Sequence, residues 1–208
     1  MARYVGPVCK LCRREQTKLF LKGEKCFTKC VLDKRATIPG MAKPQRGKPS
    51  EYMIRLREKQ KLRRMVMMTE RPFAHLVAKA SHATGKTGEE LLKYLEVRLD
   101  NVVRRLGLAV SLKAARQLVL HGHIKVNGRG INIPSHQLEP GDTVVLSPKV
   151  KDSVGVKLSL ETAARKSTRP PFLEFNEAEL SGKLLRWPTR EETSFPVTEQ
   201  LIVEHYSR

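Results

Sequence analysis

Four cysteines, Cys9-x2-Cys12 and Cys26-x3-Cys30, crowd the first thirty residues, and none follows in a chain of 208. Two tight pairs with thirteen residues between them can set four thiolates around one ion. Residues 1–37 hold little apolar core of their own, so chelation is what would fold them. Zinc is the first expectation for Cys9, Cys12, Cys26 and Cys30. An iron–sulfur cluster also takes four cysteines, and spacing alone does not separate the two. Disulfides are the competing use. They are disfavoured because Met1–Pro7 lacks the apolar stretch of a signal peptide and thiols stay reduced in the cytosol.

The charge says what such a clip would help to hold. Lys and Arg number 40 against 21 Asp and Glu, a formal net charge of +19. An excess this large repels itself and favours a polyanion as partner. A membrane is not that partner, because runs such as Val144–Leu146 are far too short to span one. Aromatic residues make up only 5%, which argues against gripping single strands through many stacked bases. Folded RNA, met through its shape and phosphates, fits better.

Apolar periodicity then divides the chain. Ile38–Pro49 is rich in proline, glycine and cations and reads as an extended arm ordered by a partner. Ser50 caps a helix expected over Glu51–Met68, whose cations fall on several sides and whose apolar residues make no single stripe. Such a helix suits a wedge between a small core and phosphates. Thr69 opens another helix with Phe73, Leu76, Val77 and Ala80 on one face. After a break at Gly85–Gly88, the spacing of Leu92, Leu95, Leu99, Val102, Val103 and Leu106 predicts one helix over Glu89–Leu106, stopped by Gly107. Ser111 caps a shorter helix with Ala114, Ala115, Leu118 and Val119 inward, ending at Gly122. Period two follows: Ile124-x-Val126, a turn at Asn127-Gly128, and Ile131-x-Ile133, with another strand at Thr143–Leu146. Val154–Leu160 suits either strand or helix, and beyond Phe172 the pattern is mixed.

Two stretches carry a family resemblance. Arg98-Leu-Asp-Asn-Val, Arg104-Arg-Leu-Gly, Ser111-x3-Ala-Arg116-Gln-Leu-Val, His121-Gly-His-Ile-x-Val-Asn-Gly128 and Pro140-Gly-Asp142 resemble the RNA-binding module named after the fourth small-subunit ribosomal protein. The knuckle, the basic arm, Arg55-Leu-Arg-Glu-Lys-Gln-Lys-Leu-Arg63 and Pro196-Val-x-Glu-Gln-Leu-Ile-Val-Glu-x-Tyr-Ser-Arg208 extend the likeness, across essentially all of residues 1–208, to the bacterial family of that protein itself. Two features depart from it. Pro39-Gly-Met-Ala-Lys-Pro-Gln-Arg-Gly47 stands where Pro-Gly-x-His-Gly is frequent, and His205 stands where an aromatic is usual.

The resemblance implies an α+β fold with a cysteine knuckle and arm over 1–49. A helical lobe would span 50–92 and be completed by 188–208, with the RNA-binding module over 93–187. It implies a structural, non-enzymatic constituent of the cytoplasmic small ribosomal subunit that binds the 5′-domain junction of 16S rRNA early in assembly. By the same likeness it would contact the fifth small-subunit protein, influence translational accuracy, and possess no membrane or small-molecule partner. Binding to its own mRNA is a further possibility of the same kind. The positions expected to meet RNA are Arg3, Arg13, Arg14, Lys43, Arg46 and Lys48, the helical run Arg55, Arg57, Lys59, Lys61, Arg63 and Arg64, and the module positions Arg104, Arg105, Lys113, Arg116, Gln117, His121, His123, Lys125 and Arg129. Lys113 and Arg116 are expected off the Ala114/Leu118 face, free for phosphates.

Catalytic readings fit less well. Ala80-x4-Gly85-Lys-Thr87 lacks the first glycine and the preceding strand of a phosphate-binding loop. Asp100 in Arg98-Leu-Asp resembles the aspartate of pseudouridine synthases, which can carry the same module. Helical spacing predicts instead an ion pair with Arg104. His121 and His123 have no nucleophile or carboxylate beside them.

Overall fold

The computed structural model describes residues 4–40, 48–166 and 169–207; the expected RNA contacts Arg3, Lys43 and Arg46 lie outside them. The chain divides into two compact units, residues 1–91 with 195–208, and residues 92–194.

The first unit is helical. Short helices α1 (Cys9–Glu15), α2 (Lys25–Thr28) and α3 (Val31–Lys34) precede α4 (Glu51–Met65) and α5 (Glu70–Ser81). The Ser50 hydroxyl accepts from the Met53 N–H at 3.3 Å, the N-cap that the sequence anticipates. α4 stops three residues earlier than expected, because the chain turns through left-handed Met67 (φ 52°). On α4 and α5 the buried apolar residues are Leu62, Phe73, Val77 and Ala80. The sequence's last helix, α10 (Glu199–Tyr206), packs against α4 and α5 and buries Ile202.

α6 (Thr87–Glu96) carries the boundary between the units. The single helix expected over Glu89–Leu106 is two, because α7 (Leu99–Arg105) begins after an extended Arg98 (φ −62°, ψ 137°). The cause is tertiary. The backbone of 97–100 is taken by a distant segment: Leu138 N–H donates to the Val97 carbonyl, Leu99 N–H to His136 and Asp100 N–H to Pro134, at 2.8–3.2 Å. Three hydrogen bonds to 134–138 replace those a continuous helix would make, and the apolar spacing does not register the exchange. α7 then closes as a Schellman turn, with Gly107 at φ 86°, its N–H on the Arg104 carbonyl and the Leu108 N–H on Val103.

The second unit continues with α8 (Leu112–Leu120), whose N-cap Ser111 accepts from the Ala114 N–H, and then a five-stranded antiparallel sheet. Strands β1 (Ile124–Val126), β2 (Arg129–Gly130), β3 (Thr143–Leu146), β4 (Leu173–Asn176) and β5 (Ser181–Leu184) are ordered β2-β1-β3-β5-β4. Asn127 and Gly128 both have positive φ, as a type I′ hairpin requires, and Val126 pairs with Arg129 across them. The expected strand at Ile131-x-Ile133 does not form, since the chain leaves the sheet after Gly130 to run to Pro134 and its partners on 97–100. Ile133 is 52% exposed. Val154–Leu160, left open above, lies in helix α9 (Val154–Lys166), and a 3-10 turn covers Pro148–Val150.

Val97, Leu99, Val102, Val103, Leu106, Val119, Ile124, Leu138, Val144, Leu146, Phe172 and Leu184 form one core between α7, α8 and the sheet. Among the described residues no helix is long and apolar enough to cross a membrane. The α+β class expected from sequence holds, with β4 and β5 added by the stretch that read as mixed.

A Cβ at Gly182 on β5 would overlap the fully buried Leu106 side chain. Gly182→Ala is therefore expected to lower unfolding stability by about 1–3 kcal/mol. Urea denaturation checks this, and a midpoint equal to wild type would refute it.

Candidate nucleic-acid interface

The cations of α4 are not free. Glu15, at the end of α1 and almost fully buried, takes both Arg57 (3.2 Å) and Arg64. Glu70, in the first turn of α5, takes Lys59 (2.7 Å) and Arg63 (3.5 Å), and accepts from the Tyr206 hydroxyl (2.7 Å). Arg55 bridges Glu51 and Glu204, and Lys61 pairs with Glu58. All six expected RNA contacts on this helix are thus ion-paired, with side chains only 7–29% exposed. The helix is wedged, as its mixed faces suggested, and carboxylates from neighbouring elements meet its cations. Absence of an apolar stripe was the signal: neighbours had to approach α4 from several sides, and they do so with carboxylates.

The two main carboxylates differ in their balance. Burial pushes the Glu15 carboxyl up, further than the Arg64 and Arg57 charges pull it down, and burial likewise pulls Arg64 down. Burial also raises Glu70, but the hydrogen bonds from Lys59 and Tyr206 and the charges of Lys59 and Arg63 outweigh it. The net effect holds Glu70 below the ordinary glutamate range.

A similar clamp sits in the second unit. Asp100, buried, is paired to Arg98 (3.1 Å) and to Arg116 (3.3 Å), not to Arg104 as helical spacing predicted. Arg98 is the extended residue at the start of α7, so the break in the helix is what brings its guanidinium back over Asp100. Arg116 is itself buried, which overturns the reading that it stands free for phosphate. Arg104 donates to the Asn101 side chain at 3.0 Å, and burial, with Arg105 beside it, pulls its pKa down to about 10. Arg105 is held by Glu96 (2.6 Å) and by Ser194.

Of the positions expected to meet RNA on this unit, a smaller set remains outward. Lys113 and Gln117, one helical turn apart on α8, are exposed, as are His121 at its end, Lys125 on β1 and Arg129 on β2. His123 is half-buried, its ring edge-on to His121 at 6.0 Å. In the first unit Arg14 and Lys48 are exposed, whereas Arg13 is half-buried and donates to the Thr37 carbonyl at 2.9 Å.

The cysteines come near one another without closing. α1 carries Cys9 and Cys12, α2 carries Cys26, and Cys30 is the N-cap of α3. Burial pushes the Cys12 thiol up, a hydrogen bond from the Leu19 backbone pulls it down, and the charges of Cys26, Cys9 and Cys30 push it further up. The Lys22 N–H donates to Cys26 Sγ at 3.3 Å. All four are free thiols, and among the described residues no three His, Cys, Asp or Glu side chains are arranged to hold a metal ion. The expected tetrahedral four-thiolate centre is therefore not formed in this structure.

A helix pair leading into a short antiparallel hairpin, with polar residues along its outer side, defines an RNA-binding module of the S4 class, and residues 97–144 match the S4 domain model. Residues 3–96 match the model of the ribosomal protein S4/S9 N-terminal domain. Along its whole length the chain is similar to small ribosomal subunit proteins uS4. It is 48% identical over 210 residues to that of Thermus thermophilus, 50% over 210 to that of Natranaerobius thermophilus, and 52% over 209 to the uS4A of Symbiobacterium thermophilum, with 100% of both chains covered each time. The chain belongs to the uS4 family of ribosomal proteins.

The Glu70 cluster gives a pH test. A carboxylate held below its unfolded pKa stabilises the fold above about pH 4.3, and that contribution disappears as pH falls through the folded-state value. Wild type should melt higher than Glu70→Gln at neutral pH, and the gap should close below pH 4. A constant gap in Tm down to pH 2 would contradict the assignment.

Proposed function

We propose that the chain is a structural, non-enzymatic constituent of the cytoplasmic small ribosomal subunit that binds folded ribosomal RNA, as membership of the uS4 family supports. The observation that carries the RNA-binding part is the exposed set Lys113, Gln117, His121, Lys125 and Arg129. These side chains stay exposed and outside the ion pairs that absorb Arg55–Arg64, Arg98, Arg105 and Arg116. With the net charge of +19, they offer phosphates polar and cationic side chains that need no internal pair to break. The finer reading follows the family resemblance: the 5′-domain junction of 16S rRNA, early in assembly, with the fifth small-subunit protein as neighbour and an influence on accuracy.

Arg116 and Lys113 should behave in opposite ways. Lys113→Ala and Arg129→Ala are each expected to lower the slope of log affinity against log salt by about 1 for a 16S 5′-domain fragment, leaving stability unchanged. Arg116→Ala should instead lower stability by about 3 kcal/mol, because it strips one cation from buried Asp100. An unchanged salt slope in both surface variants would overturn the proposed surface.

The four thiols are proposed to take up zinc, with an iron–sulfur cluster as the alternative. The support is their mutual approach, enough for Cys9, Cys26 and Cys30 to act on Cys12, together with the N–H bond to Cys26 Sγ. Protein purified without oxygen should contain about one zinc per chain by elemental analysis, or iron with sulfide, and Cys9→Ser/Cys12→Ser should contain neither. Metal-free wild-type protein with four titratable thiols would refute the proposal.

A further inference from the structure

The cysteine-bearing segment also holds an aromatic feature that the low aromatic content gave no reason to expect. Phe20 sits in the left-handed region at φ 51°, a conformation unfavourable for a bulky residue and one that persists only when its surroundings impose it. Its neighbours Leu19 and Leu21 are buried at 5% and 3%, while Phe20 is turned outward, 42% exposed. There its ring stacks on Phe27, itself 56% exposed, with centroids 4.9 Å apart and planes 28° from parallel. Two stacked rings at the surface forgo the burial that would hide them.

The segment that carries this pair is cationic. Lys22, Lys25 and Lys29 are exposed and ion-paired with no carboxylate among the described residues, whereas Lys18 is neutralised by Asp33 at 2.8 Å; Glu24 is the one exposed carboxylate within 20–30. An exposed aromatic pair in a segment that also carries unneutralised cations matches a nucleotide, whose base offers a π-face and whose phosphates are anionic. An apolar protein surface would gain nothing from the cations.

We propose that the stacked Phe20–Phe27 pair is a platform for an unpaired base of the bound RNA, with Lys22, Lys25 and Lys29 meeting the flanking phosphates. The inference rests on the RNA-binding reading and adds a base contact to a protein otherwise expected to meet backbone.

The test uses the full chain and a transcript of the 16S 5′ domain. Hydroxyl radicals probe the RNA backbone, and dimethyl sulfate and carbodiimide probe unpaired bases. Wild type should shield at least one unpaired base that Phe20→Leu/Phe27→Leu exposes again. The backbone footprint and salt dependence should be kept, while affinity falls about ten-fold. Phe20→Tyr/Phe27→Tyr, which keeps both π-faces, should restore the protection. If the leucine pair does not fold, Phe27→Leu alone carries the same comparison. Identical base protection with and without the aromatic rings overturns the platform and leaves the RNA-binding reading standing. No footprint from wild type overturns that reading itself.

Discussion

A chain with 40 cations and 21 carboxylates can form a compact fold only if part of its positive charge is neutralised from within. Here a few carboxylates do this by holding two cations apiece. Glu15 joins Arg57 and Arg64, Glu70 joins Lys59 and Arg63, and Asp100 joins Arg98 and Arg116. Each clamp ties one helix or helix end to another: α1 to α4, α5 to α4, the start of α7 to α8. Ion pairs this enclosed add little net stability over apolar packing, but removing one partner leaves an uncompensated charge and is costly. Their larger effect is to specify geometry.

The clamps also sort the cations by role. Those committed to carboxylates are spent on shape, and the surface left for a polyanion consists of what the carboxylates do not reach. Arg55–Arg64 belong to the paired group, whereas Lys113, Gln117, His121, Lys125 and Arg129 are exposed outside those pairs. The basic helix acts as the frame of the first unit, while the smaller module keeps its polar side chains outward. The Phe20–Phe27 pair, in a segment with exposed Lys22, Lys25 and Lys29, is also turned outward.

Local features were the legible ones. Ser50 and Ser111 cap where a short hydroxyl before an apolar run should, and Asn127-Gly128 turns where two positive φ values are needed. Gly107 ends α7 for the same local reason. These depend on residues within one or two turns of each other, so a linear reading captures them. The break at Val97–Arg98 was not legible, because leucine spacing runs on unchanged through it. Its cause is a backbone pairing of 97–100 with 134–138, a segment beyond α8 and the β1–β2 hairpin. Strands β4 and β5 were missed for a related reason: Leu173-x-Phe175 and Ser181-Gly-Lys-Leu184 are short, and only pairing with β3 and with each other makes them strands.

The sequence by itself determined the class of fold, the family, and the excess charge that demands an anionic partner, since periodicity, caps, motifs and composition are properties of the linear chain. Which lysines and arginines stay available to that partner was decided only in three dimensions. A side chain's freedom depends on whether a carboxylate from another element arrives beside it. The same holds for the four cysteines, whose spacing allows a metal site but whose closure requires three separate pieces of backbone to converge.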